Sequence, residues 1–371
     1  MPRLLARLVL ALPLAVMAIT AGAITAGAVA AWAAPPYRVG VQFVSAAMPE
    51  RGSIMPITLF YPADPGGTPA TIGAGNPIFA GTDAWAEAPM AAGRWPLVMQ
   101  SQGGLRSGPA IGAWLAADLA SRGFLVALLR QPDPTALTEA QTLPELWLRA
   151  SDLSAALTAL LARADLAARI DPARIAVLGL QVGGTAALGL AGARLDAAAF
   201  AASCDPVLHP GAVPGVDCGR FRRAGLDLHA LSLPLLGRDN RDPRVRAVMV
   251  VDPEFSGDLT PASLAGITIP IGIVNLGQPS VAGPGVTWPG LDAQALDAQA
   301  LAARLPGAHY TRLPGATPYS AFPLCRPQAA ARLRQAGEEA LCDDPPGGPQ
   351  RAATHDALAG QIADWFGSVF P

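Results

Sequence analysis

The sequence predicts an α/β protein with a mostly parallel central sheet flanked by helices. Short apolar runs alternate with segments of helical periodicity along the chain, and this alternation is typical of βαβ units. Hydrophobic residues make up 51% of the 371 residues and charged residues only 15%, which allows a large buried core. The net charge of −2 gives no reason to expect nucleic acid or an acidic membrane surface as a partner.

The individual elements follow from local periodicity. Residues 37–43 and 54–61 predict two strands that pair antiparallel across a Pro- and Gly-containing turn. Residues 62–94 are rich in Pro, Gly, Ala and Thr and predict a loop, and 171–174 predict a turn. Buried strands are expected at 95–100, 124–129, 175–180, 245–251, 269–275 and 309–313. Helices are expected at 111–122, 146–162, 183–193 and 352–366.

The N-terminus has the pattern of a secretory signal peptide. Arg3 and Arg7 precede an uncharged apolar run that ends in Ala31-Trp32-Ala33, the small-x-small pattern of a signal-peptidase site. We therefore expect residues 1–33 to be a leader and residues 34–371 to form the mature domain in the periplasm or outside the cell. The alternative is an uncleaved anchor, because the run is long enough to span a bilayer. Only such an anchor would attach the chain to a membrane.

Cysteine usage fits export. The four cysteines lie outside the leader, and an even number in an exported chain predicts disulfides. The pairs that are close in sequence are Cys204 with Cys218 and Cys325 with Cys342, although four cysteines allow three connectivities. A zinc site would need C-x-x-C or Cys/His spacing, which is missing, so we expect no metal.

An insert at about 202–244 interrupts the alternation of strands and helices. It contains two cysteines, several prolines and the histidines His209 and His229. We expect it to form a small cap over the carboxyl ends of the strands. We expect no cofactor.

The strongest local signal follows the strand at 175–180. It reads Gly179-Leu180-Gln181-Val182-Gly183-Gly184, a glycine-bounded turn from a strand into a helix. The nucleophile elbow G-x-S-x-G has this context, but a glutamine stands where the serine should be. A dinucleotide phosphate loop is the alternative, but the G-x-G-x-x-G spacing is missing and the turn lies late in the chain.

From Tyr37 to the C-terminus the chain resembles the secreted dienelactone-hydrolase-like and platelet-activating-factor-acetylhydrolase-like α/β-hydrolases. The resemblance lies in residues 95–104, 128–132, 171–184, 246–253 and 313–320. In these segments Gln102 and Gln131 stand where the family has histidines, and Gln181 replaces the nucleophilic serine. Asp252 matches the family's acid, and Pro318 falls on the catalytic histidine.

The resemblance implies a degenerate triad. The order Ser…Asp…His maps onto Gln181…Asp252…Pro318, and a slip of one residue would place Thr317 or Tyr319 at the histidine position. A glutamine amide is no usable nucleophile, and proline, threonine and tyrosine are no bases near neutral pH. Asp252 would then remain either as the kept acid or as a carboxylate that caps its loop.

The resemblance to the family also implies that the backbone N–H groups of Gly104 and Val182 form an oxyanion hole. Ser101 is expected to satisfy backbone groups of that loop. His309 and His355 are expected to be structural, while His209 and His229 in the insert are weak candidates for reaching the crevice.

These observations predict an exported, catalytically impaired α/β-hydrolase-fold protein, a pseudoenzyme, that binds a small ester, a lipid-like ligand or a partner protein. Two alternatives remain open. One is a carboxylic ester hydrolase with a non-standard site, and the other is a purely structural or envelope-assembly protein.

Overall fold

The computed structural model describes residues 37–105, 107–108, 110–130, 137–205, 216–277, 291–305, 307–338, 341–344 and 350–370. Its strands are β1 (Arg38–Met48), β2 (Ser53–Ala63), β3 (Thr68–Ile72), β4 (Thr82–Ala86), β5 (Trp95–Ser101), β6 (Leu125–Leu129), β7 (Ile170–Leu180), β8 (Ala247–Val251), β9 (Ile271–Leu276) and β10 (His309–Leu313). All ten strands form a single sheet.

The sheet is mixed, with a parallel part and an antiparallel edge. Its order is β10-β9-β8-β7-β5-β6-β2-β1-β4-β3. The six strands from β10 to β6 run parallel to one another, whereas β2 pairs antiparallel with both β6 and β1. Because parallel strands end at the same edge of a sheet, the loops after β5, β7, β8 and β10 meet at one side of the protein.

The prediction of a loop over 62–94 is wrong, because this stretch contains β3 and β4. These two strands pair antiparallel, and β4 adds to the sheet through Gly40 opposite Trp85. Pro69, Asp83 and several alanines, which are residue types depleted in strands, weaken the local strand signal, so the pairing of β4 with β1 decides the structure here. The predicted turn at 171–174 lies within β7, where the register with β5 shifts between Trp95 and Leu97.

Helices cover both faces of the sheet. They are α1 (Ala113–Ser121), α2 (Glu139–Thr142), α3 (Glu145–Ala162), α4 (Ala164–Ala167), α5 (Val182–Ala191), α6 (Ala197–Ser203), α7 (Val216–Arg223), α8 (Pro261–Ala265), α9 (Leu291–Arg304), α10 (Ala329–Ala336) and α11 (Arg351–Val369). One core packs α3, α5 and α9 on the sheet, and the other packs α1 and α11 on the opposite face. Each fully buried Leu or Phe side chain contributes about 1.5–3 kcal/mol to these cores.

Two disulfides close short loops. Cys204 is linked to Cys218 within the first part of the insert, where both are buried, and Cys325 is linked to Cys342. These are the pairs that lie close in sequence, and they fit an oxidising, extracellular environment. Within the described ranges, no helix is both long and apolar enough to cross a membrane. The predicted leader at 1–33 lies outside the described residues.

Candidate active site

The turn between β7 and α5 has the geometry of a nucleophile elbow. Gln181 sits at its tip with φ of 52° and ψ of −123°, a conformation that L-residues rarely adopt. The glycines permit a close approach: a Cβ on Gly179 would lie 2.1 Å from the Gly183 carbonyl oxygen, and one on Gly183 would lie 2.4 Å from that of Ser101. Such backbone strain persists only where the surrounding structure imposes it.

Asp252 follows β8 at the neighbouring strand end. Its Oδ1 accepts hydrogen bonds from the Asn275 side-chain amide at 2.8 Å and from the Leu276 backbone N–H at 3.0 Å. Its Oδ2 is buried and has no hydrogen-bond partner among the described residues. Burial raises the pKa of Asp252 to about 7, although the two hydrogen bonds favour the charged form. In active triads of this kind a histidine ring satisfies such a carboxylate.

The histidine position is occupied by the start of a short 3-10 helix, Pro318–Ala321. Thr317 and Ser320 cap this turn reciprocally, with the Thr317 N–H donating to the Ser320 hydroxyl at 3.0 Å. Pro318 is buried, and its side chain has no proton to exchange. The predicted alternatives at Thr317 and Tyr319 are therefore part of the same capped turn.

These three positions line one pocket. Gln181, Asp252 and Pro318 share it with Gln102, Gly103 and Gly112, and its remaining walls are apolar. The pocket has an empty volume of about 310 Å³, which includes open solvent, and only about one water molecule fits within it. None of its lining residues comes from the described part of the insert, so that part of the expected cap does not form a wall of this pocket.

Comparison with known proteins gives a structural likeness only. The chain is similar to a ferulic acid esterase from Streptomyces cinnamoneus, with 19% identity, 89% of each chain covered and a TM-score of 0.53. It is also similar to a dienelactone hydrolase from Anabaena variabilis, with 13% identity over 90% of this chain and 100% of the other, at a TM-score of 0.46. No protein-family model and no curated protein matches the sequence. The chain has the α/β-hydrolase fold.

The loop after β5 is held by a buried arginine on α3. Arg149 is 1% exposed and donates to the carbonyl oxygens of Gln102 at 3.3 Å, Gly103 at 2.7 Å and Gly104 at 3.0 Å. The Gly103 carbonyl and the Gly104 N–H belong to one trans peptide and point in opposite directions. The Gly104 N–H, the candidate oxyanion donor, therefore points away from Arg149.

The N–H group of Val182, the second candidate oxyanion donor, also points away from the groups that hold its peptide. The Gln181 carbonyl oxygen accepts from the Gly184 N–H at 2.8 Å and the Glu254 N–H at 3.1 Å. Val182 shares this peptide with Gln181, so its N–H points away from both partners. Val182 also begins α5, where the helix leaves its first N–H groups without intrahelical acceptors.

Acidic side chains neutralise the buried arginine. Glu145 is bonded by Arg149 at 3.2 Å and by Arg51 at 2.5 Å, and Arg51 also pairs with Asp152 at 2.6 Å. Burial alone would raise the pKa of Glu145, but the two guanidinium groups outweigh it and the pKa is lowered. The group thus holds the loop with a compensated charge rather than an isolated one.

The described histidines lie away from the elbow. His309 is exposed at the start of β10, and His229 pairs with Asp205 at the surface. His355 is buried on α11, stacks on Trp114 and contacts the backbone carbonyls of Ser320 and Phe322 through Nε2. Burial lowers its pKa to about 4, which keeps the ring neutral. His209 and Gln131 lie outside the described residues.

Sequence reasoning missed Arg149 and gave Gln102 no role. Arg149 lies three residues after Leu146 and four before Leu153, so it occupies the apolar face of its helix. A charged residue at such a position is the signal that could have identified it. The importance of Gln102 comes from its surroundings, which no local pattern encodes.

Proposed function

We propose that this is an exported, non-catalytic α/β-hydrolase-fold protein that binds a small molecule in the crevice of the old active site. The main support is that Asp252 Oδ2 has no hydrogen-bond partner among the described residues, although Asp252 lines the same pocket as Gln181 and Pro318. Among the described residues, no imidazole lies beside this acid, and position 181 at the tip of the elbow carries no hydroxyl or thiol. Hydrolysis by the triad route needs both.

The catalytic test is a stepwise rebuilding of the triad. Wild-type protein should show no burst with p-nitrophenyl acetate and no labelling by a fluorophosphonate. Gln181→Ser alone should recover little, because its serine would have no base. Gln181→Ser combined with Pro318→His should recover more, because the ring could be oriented by Asp252. Pro318→His alone is the matched control and should stay inactive.

The result that opposes this proposal is a wild-type turnover of about 1–10³ per second that survives Gln181→Ala. Such a result would place the nucleophile outside the elbow.

One feature supports a second candidate, a weak carboxylic ester hydrolase. The N–H groups of Gly104 and Val182 both point away from the groups that hold their peptides, as oxyanion donors would. An oxyanion hole and substrate binding without the triad are worth about 10³–10⁴ over water. Slow ester turnover that is insensitive to fluorophosphonate would favour this candidate.

We further propose that residues 1–33 are cleaved on export, leaving Ala34 first. The charged start and Ala31-Trp32-Ala33 support this, as do the two disulfides. Expression in a bacterium with the leader should give periplasmic protein whose mass corresponds to residues 34–371. An intact leader in the membrane fraction would instead indicate an anchor.

A further inference from the structure

Gln102 is the most unusual polar residue of the crevice. Its side chain is fully buried, and neither Oε1 nor Nε2 has a hydrogen-bond partner among the described residues. The amide lies against Gly112, where a Cβ would come within 1.7 Å of Gln102 Oε1.

A buried polar group without a partner destabilises the protein. Gln102 has an unused amide nitrogen, which carries two N–H donors, and an unused acceptor oxygen, and Asp252, which lines the same pocket, adds a third unpaired atom. Ile111, Leu180, Val251, Leu276, Ala321 and Phe322 supply an apolar surface around them. Pockets of this kind bind apolar ligands and orient them through a few placed polar groups.

The two amide atoms of Gln102 and Asp252 Oδ2 determine which ligand head groups could satisfy all three of them. An ester has acceptors only, so it would leave the Gln102 oxygen unpaired. A carboxylate would bring a second negative charge beside the buried Asp252. A primary amide offers a carbonyl acceptor and two N–H donors, which match the Gln102 donor, the Gln102 acceptor and Asp252 Oδ2.

We propose that the crevice recognises a small neutral primary carboxamide, with the head group bound by Gln102 and Asp252 and an apolar tail against the pocket wall. This inference rests on the proposed binding function and narrows it to one ligand class. Gln181 is half-buried on the same pocket, and its side chain would have to move for the ligand to enter, because the observed space holds only about one water molecule.

The test uses four probes with the same tail on the mature wild-type protein: hexanamide, N,N-dimethylhexanamide, methyl hexanoate and hexanoate. Calorimetry or ligand-observed NMR should rank hexanamide first at neutral pH. Each of the other probes leaves at least one buried polar atom unpaired or adds a charge, so its affinity should be lower by about tenfold or more.

A variant pair locates the contact. Gln102→Met keeps a side chain of similar length without hydrogen-bonding atoms and should lower hexanamide affinity by about tenfold. Gln42→Met makes the same change on β1, at a half-buried position that does not line the pocket, and should leave affinity within about twofold. If Gln102→Met does not fold, the wild-type probe series decides alone.

Equal binding of all four probes would overturn the assignment of the head group, as would equal losses in the two variants. Failure of every probe to bind would overturn it too, and the esterase result above would stand unaffected. Ester turnover in the wild type, with selective amide binding, would instead overturn only the proposal of a non-catalytic protein.

Discussion

Asp252→Asn should stabilise the protein, and the gain should grow with pH. The wild-type carboxylate is 1% exposed and has one oxygen without a partner among the described residues. In the variant, the amide oxygen can still accept from Asn275 and Leu276, while the amide nitrogen replaces the unpartnered oxygen. Position 252 has φ of 42°, which asparagine tolerates as well as aspartate does. The substitution therefore removes the charge and little else.

The size of the effect follows from the pKa of Asp252, which burial raises from its ordinary value of 3.8 to about 7. Between these values the folded state binds more protons than the unfolded chain, so wild-type stability falls as pH rises. Each pH unit between the two pKa values corresponds to about 1.4 kcal/mol, which sets an upper bound of about 4 kcal/mol. The gain from Asp252→Asn should be near zero at about pH 4 and fully developed above about pH 7.

Urea denaturation at a series of pH values measures this gain as a difference in the free energy of unfolding. Other buried groups, such as Asp258 and His355, titrate in both proteins and cancel in the difference. Asp239→Asn is the matched control, because backbone hydrogen bonding from Arg241 lowers the pKa of this exposed carboxyl, and its loss should not stabilise at high pH. A variant that is less stable at about pH 8, or a gain that is constant with pH, would refute the reasoning.

Three further predictions concern the surrounding structure. Arg149→Met should lower the free energy of unfolding by about 3–5 kcal/mol, because it leaves Glu145 with less buried compensation, whereas Arg163→Met in an exposed pair should cost less than about 1 kcal/mol. Reducing both disulfides should lower the free energy of unfolding by about 3 kcal/mol for each disulfide. Denaturation with and without dithiothreitol measures this loss. His355→Gln should flatten the loss of stability from about pH 6.5 down to about pH 4, because the folded state holds the His355 pKa at about 4 while the unfolded chain binds a proton in that range. If His355→Gln loses as much stability between about pH 6.5 and about pH 4 as the wild type does, this last expectation is wrong.

Sequence alone determined the features that depend on local pattern. The alternation of apolar strands and helices predicted the α/β class, because each buried parallel strand must read as a continuous apolar run. The α/β-hydrolase fold was implied by the resemblance to a known family. The elbow could be predicted because its glycines are needed wherever α5 approaches β5 so closely. The two disulfide pairs could be favoured among the three connectivities because their cysteines lie only 14 and 17 residues apart.

Only the tertiary structure decided what these features become together. β3 and β4 exist because β1 offers them an edge, and their own composition is that of a loop. Arg149 holds the loop after β5 from a helix 45 or more residues along the chain. The unpaired atoms of Gln102 and Asp252 are likewise defined by what surrounds them. Hydrogen bonding and burial depend on atoms distant in sequence, so a glutamine in a strand gives no local sign that its amide is buried without a partner.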